Sequence, residues 1–173
     1  PLDIDSARLG VLGPLARTVR DAAAFLDAVA IAQPGDPDPL APLPPGETFL
    51  GWCERDPGPL RIGRYLESPI DTEVDPQVRA AWEQAAGLLT SLGHEVVDVA
   101  APMPREAIPA FETVWAVGSA TVPVDPARTG ELRALTRHLR ERGAAVSGAQ
   151  YATALGMLNL YSRRAIVASA HLD

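Results

Sequence analysis

The fold of this chain is decided by residues 60–99, which fall into three blocks. LRIGRYL (60–66) alternates as a strand does, and EVVDV (95–99) reads as a second strand. Between them, DPQVRAAWEQAAGLLTSLG (75–93) has the periodicity of an amphipathic helix. A strand, a helix and a strand with short connections predict two parallel strands joined by a right-handed crossover. The predicted fold class is therefore α/β.

The predicted crossover helix carries its own start and stop signals. Asp75 followed by Pro76 is an efficient helix start, and Gly93 suits the carboxyl cap. Its apolar stripe comprises Val78, Ala81, Trp82, Ala85, Leu89 and Leu92. The stripe predicts that one face of the helix is buried.

Three further helices are predicted after the second strand. Residues 106–120, entered through Pro109, place Phe111, Val114, Trp115 and Gly118 on one face. The next segment, 130–142, is expected to have Leu132, Leu135 and Leu139 inside and Arg133, Arg137 and Arg140 outside. Ser147 with Gln150 forms a capping box that begins the last helix.

On the amino-terminal side, a helix is predicted to begin at Thr18, with Asp21 in capping-box position. Residues 33–59 then hold eight of the 17 prolines. This density is expected to forbid a helix or a central strand and to form a long surface loop. The length of 173 residues fits one globular domain, spanning residues 1–173, or a fragment of one.

Composition excludes several classes of protein. A net charge of −7 argues against a nucleic-acid or anionic-membrane partner, because both require a cationic surface. All 15 basic side chains are arginine, so lysine-dependent chemistry is excluded within this chain. With Cys53 alone there is no internal disulfide, and no apolar run is long enough to span a membrane. A cytoplasmic protein is expected, and Pro1 in place of an initiator methionine predicts a cut amino end.

No catalytic constellation is evident from residue chemistry alone. His94, His138 and His171 lie far apart, and no pair of histidine and cysteine has metal-ligand spacing, so neither a metal nor a cofactor is predicted. His94 is expected to be solvated in a turn. No serine lies in a Gly-x-Ser-x-Gly elbow, and Gly10 to Gly13 lack the strand and lysine of a phosphate loop.

One stretch resembles a known family. GPLARTVRDAA (13–23) is similar to the Gly-Pro-(Leu/Met)-Ala-Arg-Thr-Val-x-Asp-Ala-Ala stretch of the amidase signature family. The same order of features then follows: an Asp/Pro-rich loop, a Leu-Arg-Ile-Gly strand at 60–63, an Asp-Pro-x-Val helix at 75–78 and Leu-Gly-His-Glu-Val at 92–96. The resemblance spans nearly the whole chain. It implies the carboxyl-side part of an amidase-signature fold, with part of a mixed sheet and flanking helices.

The resemblance also implies a function. Such amidases use a serine nucleophile, a second serine and a lysine base to cleave carboxamides to acid and ammonia. This chain has no lysine, no Ser-Ser pair and no Gly-Gly, so no catalytic residue is carried over. The chain is expected to be inactive alone, with the catalytic segment of the same protein as its partner and a small-molecule amide as the substrate. The alternative is a non-catalytic interaction or regulatory module derived from the amidase fold.

Phe111, Trp115 and Gly118 are the predicted substrate-pocket residues, because an aromatic helical face beside a small residue can line an acyl cavity. The competing interpretation is that all three are plain core. The chain by itself is also expected to self-associate, because a parallel strand pair is normally buried in a larger sheet. Cover is expected to be missing from apolar residues such as Trp82, Leu89 and Leu158.

Overall fold

The computed structural model describes residues 9–10, 13–32, 34–35, 41–70 and 72–173. They belong to two compact units, Pro1–Gly58 and Pro59–Asp173. The prediction of one domain over residues 1–173 stays a prediction. No helix in the described residues is both long enough and apolar enough to cross a membrane.

The first unit contains two helices. Helix α1 spans Val19–Val29, and the Thr18 hydroxyl accepts the backbone N–H of Asp21 at 3.1 Å, as the sequence predicts. Helix α2 is a single turn, Phe49–Trp52, in which the Thr48 hydroxyl accepts the N–H of Gly51 at 2.9 Å. The expectation that residues 33–59 exclude a helix is wrong at this turn. No proline occurs from residue 46 to 56, so nothing there interrupts helical hydrogen bonding.

The second unit begins with the predicted strand–helix–strand motif. Strand β1 (Arg61–Arg64) pairs in parallel with strand β2 (Glu95–Asp98), and Arg61 lies opposite Glu95. Helix α3 (Pro76–Ser91) connects them. The carboxylate of Asp75 accepts the N–H of Gln77 at 2.7 Å. After α3, Gly93 has a φ of +95°, a left-handed conformation that glycine adopts readily. The α/β prediction is confirmed.

Three long helices complete the second unit. They are α4 (Ile108–Thr121), α5 (Ala134–Ala144) and α6 (Gly148–Ser169). Short 3₁₀ turns at Arg105–Ala107 and Pro126–Glu131 precede α4 and α5. Ser147 and Gln150 form the predicted capping box at the start of α6. Helix α4 packs against both α5 and α6 and is the centre of this bundle.

The core of the bundle consists mostly of small and medium aliphatic side chains, together with one tyrosine. Its buried members are Ala107, Val114, Ala116, Leu139, Ala154, Leu158 and Tyr161. Helices α4 and α5 approach closely at Gly143, where an added Cβ would lie 2.9 Å from the Cβ of Ala120. Glycine at this position therefore sets the distance between the two helices.

Several predicted faces differ from the structure. Leu135 was expected inside but is 63% exposed, whereas Leu139 on the same helix is buried. Leu158 is 6% exposed, so it is not an uncovered residue. On α3 the buried residue is Ala86, while Val78 and Leu92 of the predicted stripe are exposed. Only the side of each helix that meets a neighbour is buried, and this side is narrower than the apolar stripe in the sequence.

His94 is also placed differently from the expectation. It is half-buried, and its Nδ1 atom accepts the backbone N–H of Leu60 at 3.1 Å. This hydrogen bond therefore joins the residue before β1 to the turn after α3. The sequence places His94 correctly in the helix-to-strand turn but does not reveal this partner.

Candidate functional site

The predicted pocket residues share one face of α4. Phe111, Trp115 and Gly118 are separated by four and three residues, which places them along one side of a helix. The two rings pack with centroids 5.4 Å apart and planes inclined by 46°. Trp115 is 45% exposed and Phe111 is half-buried. An added Cβ at Gly118 would meet no heavy atom of the described residues within 4 Å, so the space above it is open with respect to them.

Helix α5 is joined to the carboxyl end of the helix that carries this aromatic face (Phe111, Trp115 and Gly118). The Nη1 atom of Arg140 donates to the carbonyl oxygens of Ser119 and Val122, each at 2.7 Å. Both carbonyls lie at the carboxyl end of α4, where backbone acceptors lack helical partners and a cation is favourable. Arg140 was expected to point outward, yet it joins the two helices.

A cleft of about 550 Å³ lies between α4 and α6. It is lined on α4 by Pro109, Ala110 and Thr113, and on α6 by residues that include Gln150 and Met157. Thr113 lies about 160° around α4 from Phe111, since each residue turns an α-helix by about 100°. The aromatic face and this cleft are therefore on opposite sides of α4.

A second cleft, of about 640 Å³, lies beyond the carboxyl ends of the two strands. Gly63, Val99 and Leu172 line it from the sheet side, and Tyr161 and Arg164 line it from α6. Ligands of open α/β sheets commonly bind at this edge. Neither cleft is predicted from the sequence. The sequence signal is the spacing of small residues, on α4 and α6 for the first cleft and on α6 for the second, and ordinary helix packing gives the same signal.

The described residues contain no group of three histidine, cysteine or acidic side chains that could hold a metal ion. Nor does any serine hydroxyl in this part of the chain bond to a histidine or a carboxylate. The hydroxyls of Ser91 and Ser169 donate to backbone carbonyls, and that of Ser147 donates to Gln150.

Comparisons with known proteins agree with this architecture. The amidase family model matches residues 5–166. A glutamyl-tRNA(Gln) amidotransferase subunit of Synechococcus sp. (strain CC9311) is 39% identical over 110 residues, which cover 63% of this chain and 22% of that protein. 6-aminohexanoate-cyclic-dimer hydrolase of Pseudomonas sp. (strain NK87) is 40% identical over 89 residues, covering 50% and 17%.

Among solved structures, 6-aminohexanoate cyclic dimer hydrolase complexed with substrate superimposes with a TM-score of 0.68 and 27% identity. The match covers 87% of this chain and 33% of that one. The chain spans about a fifth of the length of the curated relatives it matches. Since the family model extends over nearly all of the sequence, the chain belongs to the amidase signature family.

Proposed function

We propose that this chain is the scaffold part of an amidase-type hydrolase that cleaves carboxamides to acid and ammonia. The observation that carries the proposal is the family match over residues 5–166. It is supported by the structural similarity to a hydrolase of a cyclic amide. The substrate is a small-molecule amide.

In this proposal the chemistry is supplied by a catalytic segment of the same protein. The resemblance of this chain to the family implies a lysine base and two serines, and none of the 15 basic residues of this chain is lysine. Arginine stays protonated at any usable pH and cannot replace a neutral lysine. The chain alone is therefore inactive towards amides, and its partner is that segment.

The aromatic face is our candidate for the pocket wall. Trp115 is 45% exposed although its neighbours Val114 and Ala116 are buried, and aromatic side chains are common in the lining of ligand pockets. The open space above Gly118 gives room for an acyl group beside the rings.

The location of the parent enzyme is inferred from its cysteine. Free and exposed Cys53 is in keeping with a reducing compartment, so we place the parent enzyme in the cytoplasm.

The experiment is co-expression of the chain with its own upstream coding region, followed by measurement of ammonia release from aliphatic, aromatic and cyclic carboxamides. We expect turnover from the pair and none from the chain alone. Gly118→Val should lower the turnover of amides with bulky acyl groups relative to the turnover of acetamide, because the valine side chain enters the open space. Gly156→Val is the matched control, since Gly156 is also helical with open space around it.

Two results would oppose the proposal. Amide turnover by the repurified chain alone would show that the chemistry lies within it. A pair that co-purifies and stays inert on every amide would favour the second candidate, a non-catalytic interaction or regulatory module. The absence of lysine is the observation that favours this second candidate.

A further inference from the structure

Helix α3 has an inner side that packs on the strands. Ala86 on this side is buried, and Trp82 and Leu89 are half-buried. The guanidinium carbon of Arg64, the last residue of β1, lies 4.6 Å from the centroid of the Trp82 ring. The strands therefore cover one side of the helix and leave another side uncovered.

The uncovered side of α3 is apolar as well. Val78, Leu88 and Leu92 are 57%, 60% and 65% exposed. Ala81 and Ala85 lie between them along the helix and are also exposed. Because each residue turns an α-helix by about 100°, these five side chains fall within an arc of about 80°. We call them the outer face of α3.

The spacing of the outer face is that of a coiled-coil seam. Its members follow one another by three, four, three and four residues, which is the a and d pattern of two heptads. This spacing directs one line of side chains towards a neighbouring helix along about 21 Å. Since α3 is already folded on the strands, such a contact does not have to pay for forming the helix.

No charge lies on the outer face or on its borders. The borders are formed by uncharged side chains, namely those of Gln77, Gln84, Ser91, Trp82 and Leu89. The charged residues of this helix, Arg79 and Glu83, lie at least about 100° around the axis from every member of the face. Two copies of the chain, each with a net charge of −7, can therefore meet here without placing like charges together.

We infer that the outer face of α3 binds the same face of a second copy of the chain, with the two helices antiparallel. In an antiparallel pair that sets each a position opposite a d position, Ala81 faces Leu92 of the second copy and Ala85 faces Leu88. Every layer then joins a small side chain to a large one, so the two helix axes stay at a constant distance. A parallel pair would set alanine on alanine and leucine on leucine, which leaves a void in one half and crowds the other.

The inference goes beyond the proposed function and is tested without an amide substrate. The first test compares the whole chain with Ala85→Glu, which places a carboxylate in the middle of the outer face. Ala80→Glu is the matched control, because Ala80 is an exposed alanine of the same helix that lies beyond the polar border. Circular dichroism checks that both variants fold.

Sedimentation equilibrium of the three proteins measures the dissociation constant of the dimer. We expect Ala85→Glu to raise this constant by at least about tenfold, since an unpaired carboxylate would be buried against Leu88 of the second copy. Ala80→Glu adds the same charge to the chain outside the contact, so the constant should change by less than about threefold.

The second test determines the direction of the helices by disulfide cross-linking. With Cys53 replaced by serine, one sample carries Ala81→Cys and another carries Leu92→Cys. We expect a disulfide between chains when the two samples are mixed and oxidised by air. Ala81→Cys by itself should not cross-link, because its two copies would lie about 16 Å apart along the helices, whereas a disulfide needs Cα atoms within about 7 Å.

Four results would overturn the inference. They are a chain that stays monomeric at every concentration, equally tight association of Ala85→Glu and the unchanged chain, a mixture that forms no cross-link, and Ala81→Cys that cross-links with itself. The mixture is also oxidised after co-expression with the upstream coding region. Loss of the cross-link there would assign the outer face to the catalytic segment and would refute a second copy as its occupant.

Discussion

The carboxylate of Asp27 caps helix α2 across 22 residues of sequence: its Oδ1 atom accepts the backbone N–H of Phe49 at 2.7 Å. Its Oδ2 atom accepts the N–H of Leu50 at 3.0 Å. The single turn of α2 would otherwise have unpaired N–H groups at its start, as every helix does. A side chain of α1 thereby joins the two helices of the first unit.

Replacing Asp27 should separate α2 from α1. We expect Asp27→Ala to lower the free energy of unfolding of the first unit by about 1–3 kcal/mol, since two hydrogen bonds to a charged group are lost. Asp27→Asn keeps one acceptor and should lose about half as much. Urea unfolding followed by Trp52 fluorescence, with Trp82 and Trp115 replaced by phenylalanine, measures both. Equal stability of all three proteins would contradict the capping role.

Gly143→Ala should destabilise the second unit by about 1–3 kcal/mol, the usual cost of overpacking. The new Cβ would lie 2.5 Å from the carbonyl carbon of Ala116, which is backbone and cannot rotate away. Gly156→Ala is the control, because an added Cβ there meets no atom within 4 Å in the part of the chain that the structure describes. That control should raise stability by about 0.5–1 kcal/mol through helix propensity. If both changes act alike in urea unfolding, the close approach of α4 and α5 is refuted.

Arg140→Gln should loosen the carboxyl end of α4, because two carbonyls lose a cationic donor. We expect a loss of about 1.5–3 kcal/mol, the range for hydrogen bonds to charged groups. Arg137→Gln removes the same charge from α5 at an exposed position and should change stability by less than about 0.5 kcal/mol. Thermal unfolding of the two variants side by side tests this difference between their losses of stability.

The pKa of Glu47 is lowered, first by its hydrogen bond with Arg55 and then by the indole N–H of Trp52. A lowered folded-state pKa contributes stability that is present above the ordinary glutamate value of about 4.3 and is lost as pH falls through the folded value. We expect the NMR shift of the Trp52 indole N–H to titrate with a midpoint below about 4.3. In Glu47→Gln the same signal should not titrate in this range. A midpoint at or above the ordinary value would disprove the prediction.

We also predict that the chain alone self-associates. The open edge of β1 is a template for pairing with another strand, and Ile166 and Val167 on α6 are 69% and 70% exposed. The net charge of −7 opposes association, but salt at 0.15 M screens it within about 8 Å. Light scattering over a concentration series should show a mass that rises above the 18.3 kDa of one chain. A constant mass of one chain throughout the series would exclude self-association.

Much of the local structure follows from short-range chemistry. Asp75, Pro76 and Gly93 bound helix α3 because capping and left-handed turns depend on adjacent backbone groups. The parallel pairing of β1 with β2 follows in the same way, since a strand, a helix and a strand leave little choice of topology. The family could also be predicted from residues 13–23, because the order of residues in a motif is local information.

Burial and long-range partners were decided by the tertiary structure. Leu135 and Leu139 have the same side chain on one helix, yet Leu139 is buried and Leu135 is exposed. Arg140 and His94 were expected in solvent, yet each has a backbone partner that lies 18 to 34 residues away. Hydrophobic periodicity determines which side chains can share a helix face, whereas the neighbour that covers the face is set by packing between distant segments. For the same reason the two clefts, and the open edge of β1 beside one of them, exist only in the folded chain.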